Sequence, residues 1–518
     1  MASSDIVLAT INAKWIHPSL ALRLLKANLG SLEARCEILE FALRQPLSEK
    51  VEPIIAARPR ILGLSVSIWN HLATLELLKA LAAEWEKTTN EEPAARQKPL
   101  IVLGGPEVSW LPEEAEIFRY ADYIIRGEGE ESFCLLCYRV FDESRLAKET
   151  ETWGEKTIFN NQGGTNLDVK KIETAYHLYT DEDLQRKLVY VEASRGCPFS
   201  CEFCQAAMQG VREFPLEPFL AEMENLIDRG GRTFKFLDRT FNLDIDRAKK
   251  IMEFFLERID TDTITASSQV DIAGTKAGVG NRPLCVHFEM LPSRFPPALR
   301  ELLRRFPSGS LRLEVGIQTL NQKTAALVGR CGDQTKELEA LEFLCRESNA
   351  ILHVDLIAGL PGEDLSSFGA GFDRLWQILS GKKPAADFST GNGRSDREFF
   401  SRGFFEIQVG ILKCLPGTSI ARHNEIYKMR YAPEPPYEVI ETGAIPAAEL
   451  AKIKNFARFW ELIVNRNPFP DLTCSLLPAG GPAFDKFMDL SDRLLKYFGR
   501  NWGIDREELK SFLLDNQA

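Results

Sequence analysis

The sequence predicts an α/β fold in three parts: a doubly wound domain at the amino terminus, a partial barrel of six strand–helix units, and a small, mostly helical carboxyl-terminal domain. Three observations predict it. Apolar runs of strand length alternate with helical stretches over residues 1 to about 145, and again from Leu188. A close group of three cysteines follows the first strand of the second series. From about Ala421 the pattern turns helical behind a Pro-rich entry, APEPPYE.

The first series opens with IVLATINA from Ile6, followed by the helical SLALRLLKANLG, which Gly30 closes as a C-cap. Then come CEILEFAL, a helix around SEKVEPIIAA, the strand ILGLSVSI, a helix around LATLELLKALAAEW, the strand LIVLGG, and YIIRGEGEESF. Such alternation requires right-handed crossovers and a parallel sheet covered on both faces. Ligands of these sheets bind beyond the carboxyl ends of the strands. That rule singles out His17, the Ser65 to Asn70 loop with Trp69, the turn Gly104-Gly105-Pro106-Glu107, and Gly127-Glu128-Gly129. The glycine pair reads equally well as a plain strand-to-loop turn. No G-x-G-x-x-G follows the first strand and no P-loop occurs, so a nicotinamide dinucleotide is not indicated.

Residues 146–187 lose the apolar periodicity and gather Thr, Asn, Gly and charge, the composition of an interdomain linker. The second series then supplies candidate strands LVYVEAS, TFKFLD, VHFEM, LRLEVGI, LHVDLIAG and FFEIQVGILK, with helical stretches between them. Six units suit an open partial barrel, in which chemistry gathers at the carboxyl ends of the strands. Residues 263–283 and 382–403 interrupt the pattern as surface insertions.

Lys plus Arg (63) against Asp plus Glu (74) leaves a net charge of -11, which repels phosphate backbones and anionic membranes. No nucleic-acid partner is expected. No run approaches the roughly 18 apolar residues of a membrane helix, and MASSDIVLAT lacks the basic start and apolar core of a signal peptide, so a cytoplasmic protein without a membrane partner is expected.

Eleven cysteines in 518 residues are too sparse for a disulfide scaffold. Cys134 and Cys137 lie three apart on one helical face of the apolar run SFCLLCYRVF, which suits buried core thiols. Cys197, Cys201 and Cys204 stand together in SRGCPFSCEFCQAA. Three thiolates cannot close a tetrahedral zinc site, so zinc requires a fourth ligand such as His177 or Cys285. A 4Fe-4S cluster held by three cysteines leaves one iron open to a substrate or cofactor, and the spacing suits that chemistry better.

Cys197-x-x-x-Cys201-x-x-Cys204, with aromatic Phe203 before the last cysteine, resembles the signature loop of the radical SAM enzymes. The resemblance implies that these cysteines hold a 4Fe-4S cluster whose open iron chelates S-adenosylmethionine, and that reduction cleaves the sulfonium to a 5'-deoxyadenosyl radical. It extends to Asp238 in FLDRTFN, Glu314 and Gln318 in LEVGIQT, and Gly359-Leu360-Pro361 in IAGLPGED, which resemble positions contacting the methionine, ribose or adenine parts. A turn cap for Asp238 and an ion pair with Arg312 or a neighbouring strand for Glu314 are the plainer readings. Lys413 and Pro416 to Thr418 end the last barrel strand and shape the cavity.

The amino-terminal order GLSVSIWN, VLGGPEVS, ADYIIRGEGEESF resembles the Rossmann-like cobalamin-binding domain that precedes the radical SAM barrel in one large subgroup. The resemblance covers roughly residues 5 to 420, and the whole chain is similar to a branch with its own helical carboxyl-terminal domain. It implies a cobalamin-binding domain over 1–145, the linker 146–187, a (β/α)6 radical SAM domain over 188–420 and a helical domain over 421–518. Cobalamin contacts are implied at His17, Ser65, Trp69, Asn70, Gly104, Gly105, Pro106, Glu107, Gly127 and Glu128. The D-x-H-x-x-G that supplies a lower axial histidine elsewhere is absent, since neither His17 nor His71 has the matching Asp and Gly, so cobalamin is expected base-off. The methylthiotransferase branch needs three amino-terminal cysteines in its own pattern, which Cys36, Cys134 and Cys137 do not form.

The expected function is cobalamin-dependent radical methylation of an unactivated carbon in a small-molecule or peptide substrate, fed by an electron donor such as flavodoxin or ferredoxin. A cobalamin-assisted oxidation or rearrangement uses the same cofactors. A corrinoid- or SAM-binding protein without turnover is the alternative from another class.

Overall fold

Strand β1, Ile6–Asn12, is buried at all seven residues, as the centre of a parallel sheet covered on both faces requires. A computed structural model describes residues 4–91, 98–141, 157–160, 167–259, 283–330, 332–380, 405–477 and 480–516. The chain divides into two units. The first comprises Met1–Ala193, Arg212–Gly231 and Glu434–Pro436, and the second Ser194–Val211, Arg232–Pro433 and Tyr437–Ala518.

In the first unit β1 is joined by β2 (Cys36–Ala42), β3 (Ile61–Ser65), β4 (Leu100–Gly104), β5 (Tyr123–Arg126) and β6 (Thr157–Asn160). All neighbours are parallel, in the order β2-β1-β3-β4-β5-β6. Helices α1 (Leu20–Ala27), α2 (Ser48–Ala57), α3 (His71–Glu91) and α4 (Glu130–Phe141) make the crossovers. Two apolar cores result. Ile11, Leu64, Leu78 and Phe118 belong to one, and Ile6, Leu22, Phe133 and Cys137 to the other. Order reverses between β1 and β3, and the carboxyl ends of those strands meet there.

The stretch 146–187 is more than a connector. Its described part contains β6, paired with β5 from Tyr123↔Thr157 to Arg126↔Asn160, and the short helix Asp181–Arg186 closed by a Thr180/Asp183 capping box. A four-residue strand at the sheet edge carries too few apolar positions for periodicity to reveal it. Cys134 and Cys137 lie on α4; Cys137 is fully buried with Cys36 in the second core, as expected, whereas Cys134 is only partly buried against it.

All six strands read for the second series form: β7 (Val189–Val191), then, after the short β8 (Ser194–Cys197) and β9 (Gln209–Glu213), β10 (Thr233–Phe236), β11 (Cys285–Met290), β12 (Leu311–Gln318), β13 (Ile351–Ala358) and β14 (Phe405–Ile411). Strands β10 to β14 lie in the second unit and pair in sequence, parallel throughout. The insertion read at 382–403 and nearly all of that at 263–283 fall outside the described residues.

The mostly helical segment Tyr437–Ala518 packs within this unit. Phe372 and Trp376, on helix Leu365–Ser380, interlock with Phe456, Trp460 and Phe484 at ring separations of 4.7 to 5.8 Å. Asn465 accepts from the Ile407 N–H at 3.2 Å and donates to its carbonyl at 3.1 Å, pairing the edge strand β14 with a side chain. The helices thus cover an edge that would otherwise stay open to other strands.

Candidate active site

Strand alternation sorts the second sheet. Phe236, Phe288, Leu313 and Val354 are buried on one face, while Lys235, His287, Glu289, Glu314, His353 and Asp355 occupy the other. Glu314 stands four residues before the end of β12 rather than at it. Its Oε2 accepts from Lys235 Nζ on β10 at 3.4 Å and lies 3.3 Å from His287 Nε2 on the neighbouring strand β11. That pairing, His287 first, holds the Glu314 carboxyl down to about 2. Burial pushes Glu289 and Asp355 up to about 7, with Glu314 adding to the effect. His353 Nε2 lies 3.0 Å from Glu406 and 3.2 Å from Gln408. Of this group only Glu314 was singled out in the sequence; His287, Glu289, His353 and Asp355 were not, although the H-x-E and H-x-D spacings of VHFEM and LHVDLIAG carry the signal.

The carboxyl ends of the same strands hold most of the remaining candidates. Asp238 follows β10, is 2% exposed, and accepts from Ser194 Oγ at 2.6 Å. Gln318 ends β12 at a bulge with φ +68°, a conformation that costs a non-glycine residue energy and concentrates at functional sites. Gly359, Leu360 and Pro361 follow β13 directly. The Leu360 side chain is fully buried.

Strands β8 and β9 pair as a two-stranded ribbon and enclose the cysteine loop between them. Met208 N–H donates to the Phe199 carbonyl at 2.7 Å, and Cys204 N–H to that of Cys201 at 3.0 Å. Cys197, Cys201 and Cys204 are free and half-buried, and so is Phe203. Burial pushes the Cys197 thiol up, and the other two cysteines add to it. Burial also raises Cys201, against the opposing pull of Arg330, whose guanidinium bonds to that thiol and to the Gly316 carbonyl. Gly329, with φ +69°, carries the turn before Arg330 so close to the loop that a Cβ would lie 2.4 Å from the Ser200 carbonyl oxygen.

This donor set fits a cluster bound through three irons: three accessible thiols on one loop with a cation beside the middle one. Among the described residues no three His, Cys, Asp or Glu side chains already stand as a metal ion would hold them. The fourth ligands considered for zinc are engaged elsewhere. His177 pairs with Glu33 at 3.0 Å, and Cys285 opens β11 against Arg312.

In the first unit Ser65, Gly104, Gly105 and Gly127 come together at the ends of β3, β4 and β5. Val66 N–H donates to the Gly104 carbonyl at 2.8 Å, and Gly127 N–H to Ser109 Oγ at 2.9 Å. Gly105 has φ +106°, and a Cβ there would lie 2.5 Å from the Val66 carbonyl, so only glycine fits. Other candidates have protein partners. Asn70, fully buried, accepts from Ser67 N–H at 2.7 Å and donates to the carbonyls of Ile11 and Ser65, tying β1 to β3. Glu107 is buried against His71 Nδ1 at 2.9 Å, Glu128 receives both Arg212 amino groups at 2.7 Å, and His17 Nδ1 lies 2.8 Å from the Tyr190 hydroxyl. Trp69 is 54% exposed, and so, at 51%, is Trp15, which the sequence reading passed over.

Residues 6–136 match the model of the B12 binding domain, and residues 191–374 that of the Radical SAM superfamily. The chain is a radical SAM protein with a B12-binding domain. Among the similar curated proteins, an uncharacterized methyltransferase from Pyrococcus horikoshii is 29% identical over 195 residues, covering 34% of this chain and 41% of that protein. The anaerobic magnesium-protoporphyrin IX monomethyl ester cyclase of Cereibacter sphaeroides is 25% identical over 292 residues, 54% of this chain and 44% of the cyclase. The matches thus span less than half the length of these two relatives. Among solved structures, the cobalamin-dependent S-adenosylmethionine radical enzyme OxsB with aqua-cobalamin bound has a TM-score of 0.59 at 14% identity, covering 98% of this radical SAM protein and 75% of OxsB. The radical methyltransferase TsrM from Kitasatospora setae, with cobalamin and a [4Fe-4S] cluster bound, has a TM-score of 0.51 at 16% identity, covering 84% and 82%. These likenesses establish the fold of both parts. Among the described residues no helix is long and apolar enough to cross a membrane.

Proposed function

We propose that this radical SAM protein is a cobalamin-dependent methyltransferase acting on an unactivated carbon of a small molecule or peptide. The observation that carries the reading is the joint presence of three free thiols, Cys197, Cys201 and Cys204, on one loop and a B12-binding domain in the same chain. When bound, the cluster, S-adenosylmethionine and cobalamin supply one-electron cleavage of a sulfonium and a transferable methyl group.

The protein's own residues hold and screen. The three cysteines ligate the cluster, and Arg330 beside Cys201 favours its thiolate. Asp238 after β10 and Gln318 at the end of β12 offer polar contacts to S-adenosylmethionine, as does the Gly359 to Pro361 backbone after β13. In the B12-binding domain, Gly104 and Gly105 let a flat macrocycle approach the backbone, and exposed Trp69 offers it an apolar wall. His17 and His71 are both engaged by protein partners, which favours base-off cobalamin without a histidine ligand. A soluble one-electron donor of the flavodoxin or ferredoxin kind, in the cytoplasm, completes the reading. The test is anaerobic: protein with a full cluster, reductant and S-adenosylmethionine should yield 5'-deoxyadenosine, and Cys201→Ala should yield none. Equal yields from both proteins contradict the assignment of that ligand.

A further inference from the structure

Glu202 lies between Cys201 and Phe203 and is 8% exposed, an unusual place for a carboxylate beside metal-binding thiols. A buried carboxylate is costly unless paired. Its partners come from a segment 220 and 221 residues away in sequence. His423 Nε2, itself 6% exposed, donates to Oε2 at 2.9 Å, and Arg422 donates to Oε1. The two are unequal. Arg422 is 63% exposed, so solvent screens its pairing, whereas the His423 contact is closed to water. The main chain repeats the link: Ile420 N–H donates to the Glu202 carbonyl at 3.0 Å, and Glu202 N–H donates to that of Val328 at 3.0 Å. Gln205 Nε2 donates to the Pro416 carbonyl at 2.8 Å. Residues 200–205 are thus gripped from one side by the Val328 to Arg330 turn and from the other by residues 416–423, just beyond the last strand of the sheet.

We propose that Glu202 and His423 are positioning residues for the cysteine loop, a tether by which the segment after β14 holds Cys201 and Cys204 in the conformation that retains an iron–sulfur cluster. The proposal rests on the reading that the three cysteines ligate a cluster. The physical case is simple. A site with three protein ligands on one short loop loses metal whenever that loop opens, and the free energy of local opening is set by the contacts that hold the loop. Here those contacts are a buried side-chain hydrogen bond and flanking main-chain bonds.

The experiment compares the full chain with Glu202→Gln and His423→Gln. Hydrogen exchange of apo protein over residues 198–206, the rate at which a ferrous chelator strips iron from the reconstituted protein, and the electron paramagnetic resonance spectrum of the reduced cluster are the readouts. Both variants should exchange and lose iron about fivefold faster than the parent, with an altered spectrum, alongside whatever fall in melting temperature the loss of a buried hydrogen bond brings. A role in stability alone would lower the melting temperature and leave iron loss and spectrum as in the parent, and that result overturns the proposal. So does identity with the parent in all readouts. A parent chain that takes up no iron overturns the ligand reading itself, and the tether with it.

Discussion

His287 and Glu314 stand on adjacent strands with Nε2 3.3 Å from Oε2, and Lys235 donates to the same oxygen at 3.4 Å. Glu314 is therefore ionised through the working pH range, whereas Glu289 and Asp355, on the same face, are pushed up to about 7 chiefly by burial. The signs oppose each other. Glu314 contributes stability that is present above the ordinary carboxylate range and is lost as pH falls toward 2. Glu289 and Asp355 favour the folded state below that range, and this contribution is lost as pH rises through about 7. Melting temperature should thus decline from pH 6 to pH 8, and Asp355→Asn should remove part of the decline. After allowance for solvent screening, the variant should melt about 2–4 °C higher at pH 8, the shift that roughly 1 kcal/mol gives in a domain of this size. Thermal unfolding across this range checks it; parallel curves for both proteins contradict it.

Arg330 places a fixed cation at the Cys201 thiol. A cation near a cluster ligand favours the more negative, reduced state. Arg330→Gln should lower the cluster's midpoint potential by roughly 30–60 mV, the one-electron equivalent of about 0.7–1.4 kcal/mol of lost interaction. Redox titration followed by paramagnetic resonance measures this. An unchanged potential would remove Arg330 from the electrostatics of the site.

Gly105 adopts φ +106° with no space for a Cβ against Val66. Gly105→Ala should cost about 1–3 kcal/mol locally and weaken corrinoid binding by about tenfold or more, while the iron content of the second unit stays as in the parent. Visible-absorbance titration with hydroxocobalamin gives the first quantity and iron analysis the second. Equal corrinoid affinity in the variant would show that the turn does not face the ligand.

Much of this arrangement was legible in the sequence where local pattern decides it. Ile6–Asn12, Ile61–Ser65 and Leu100–Gly104 are continuous apolar runs because both sheet faces are covered. Cys197 could be placed just after a strand because LVYVEAS reads as one, and its spacing to Cys201 and Cys204 is itself the motif. What stayed hidden depends on distance in sequence. Glu202 meets His423 only through the fold, and Asn465 completes an edge strand 58 residues before it. Thr157–Asn160 is too short for periodicity to detect, and the bulge at Gln318 follows from pairing with β13 rather than from composition.

Phe372 anchors the carboxyl-terminal helices to the barrel helix through Phe456, Trp460 and Phe484. It is fully buried, so Phe372→Ala should destabilise the second unit by about 3–5 kcal/mol. Denaturant unfolding monitored by tryptophan fluorescence checks this. A loss under about 1 kcal/mol would mean that these helices are held by other contacts.

The central claim is that one chain couples radical cleavage of S-adenosylmethionine to cobalamin-dependent methyl transfer. The most direct measurement uses anaerobically reconstituted protein with a full cluster, reductant and S-adenosylmethionine, with and without hydroxocobalamin, and separates the nucleoside products by mass spectrometry. The account predicts 5'-deoxyadenosine in both samples and S-adenosylhomocysteine only where cobalamin is present. Neither product, from protein shown to carry its cluster and to bind the corrinoid, would contradict it.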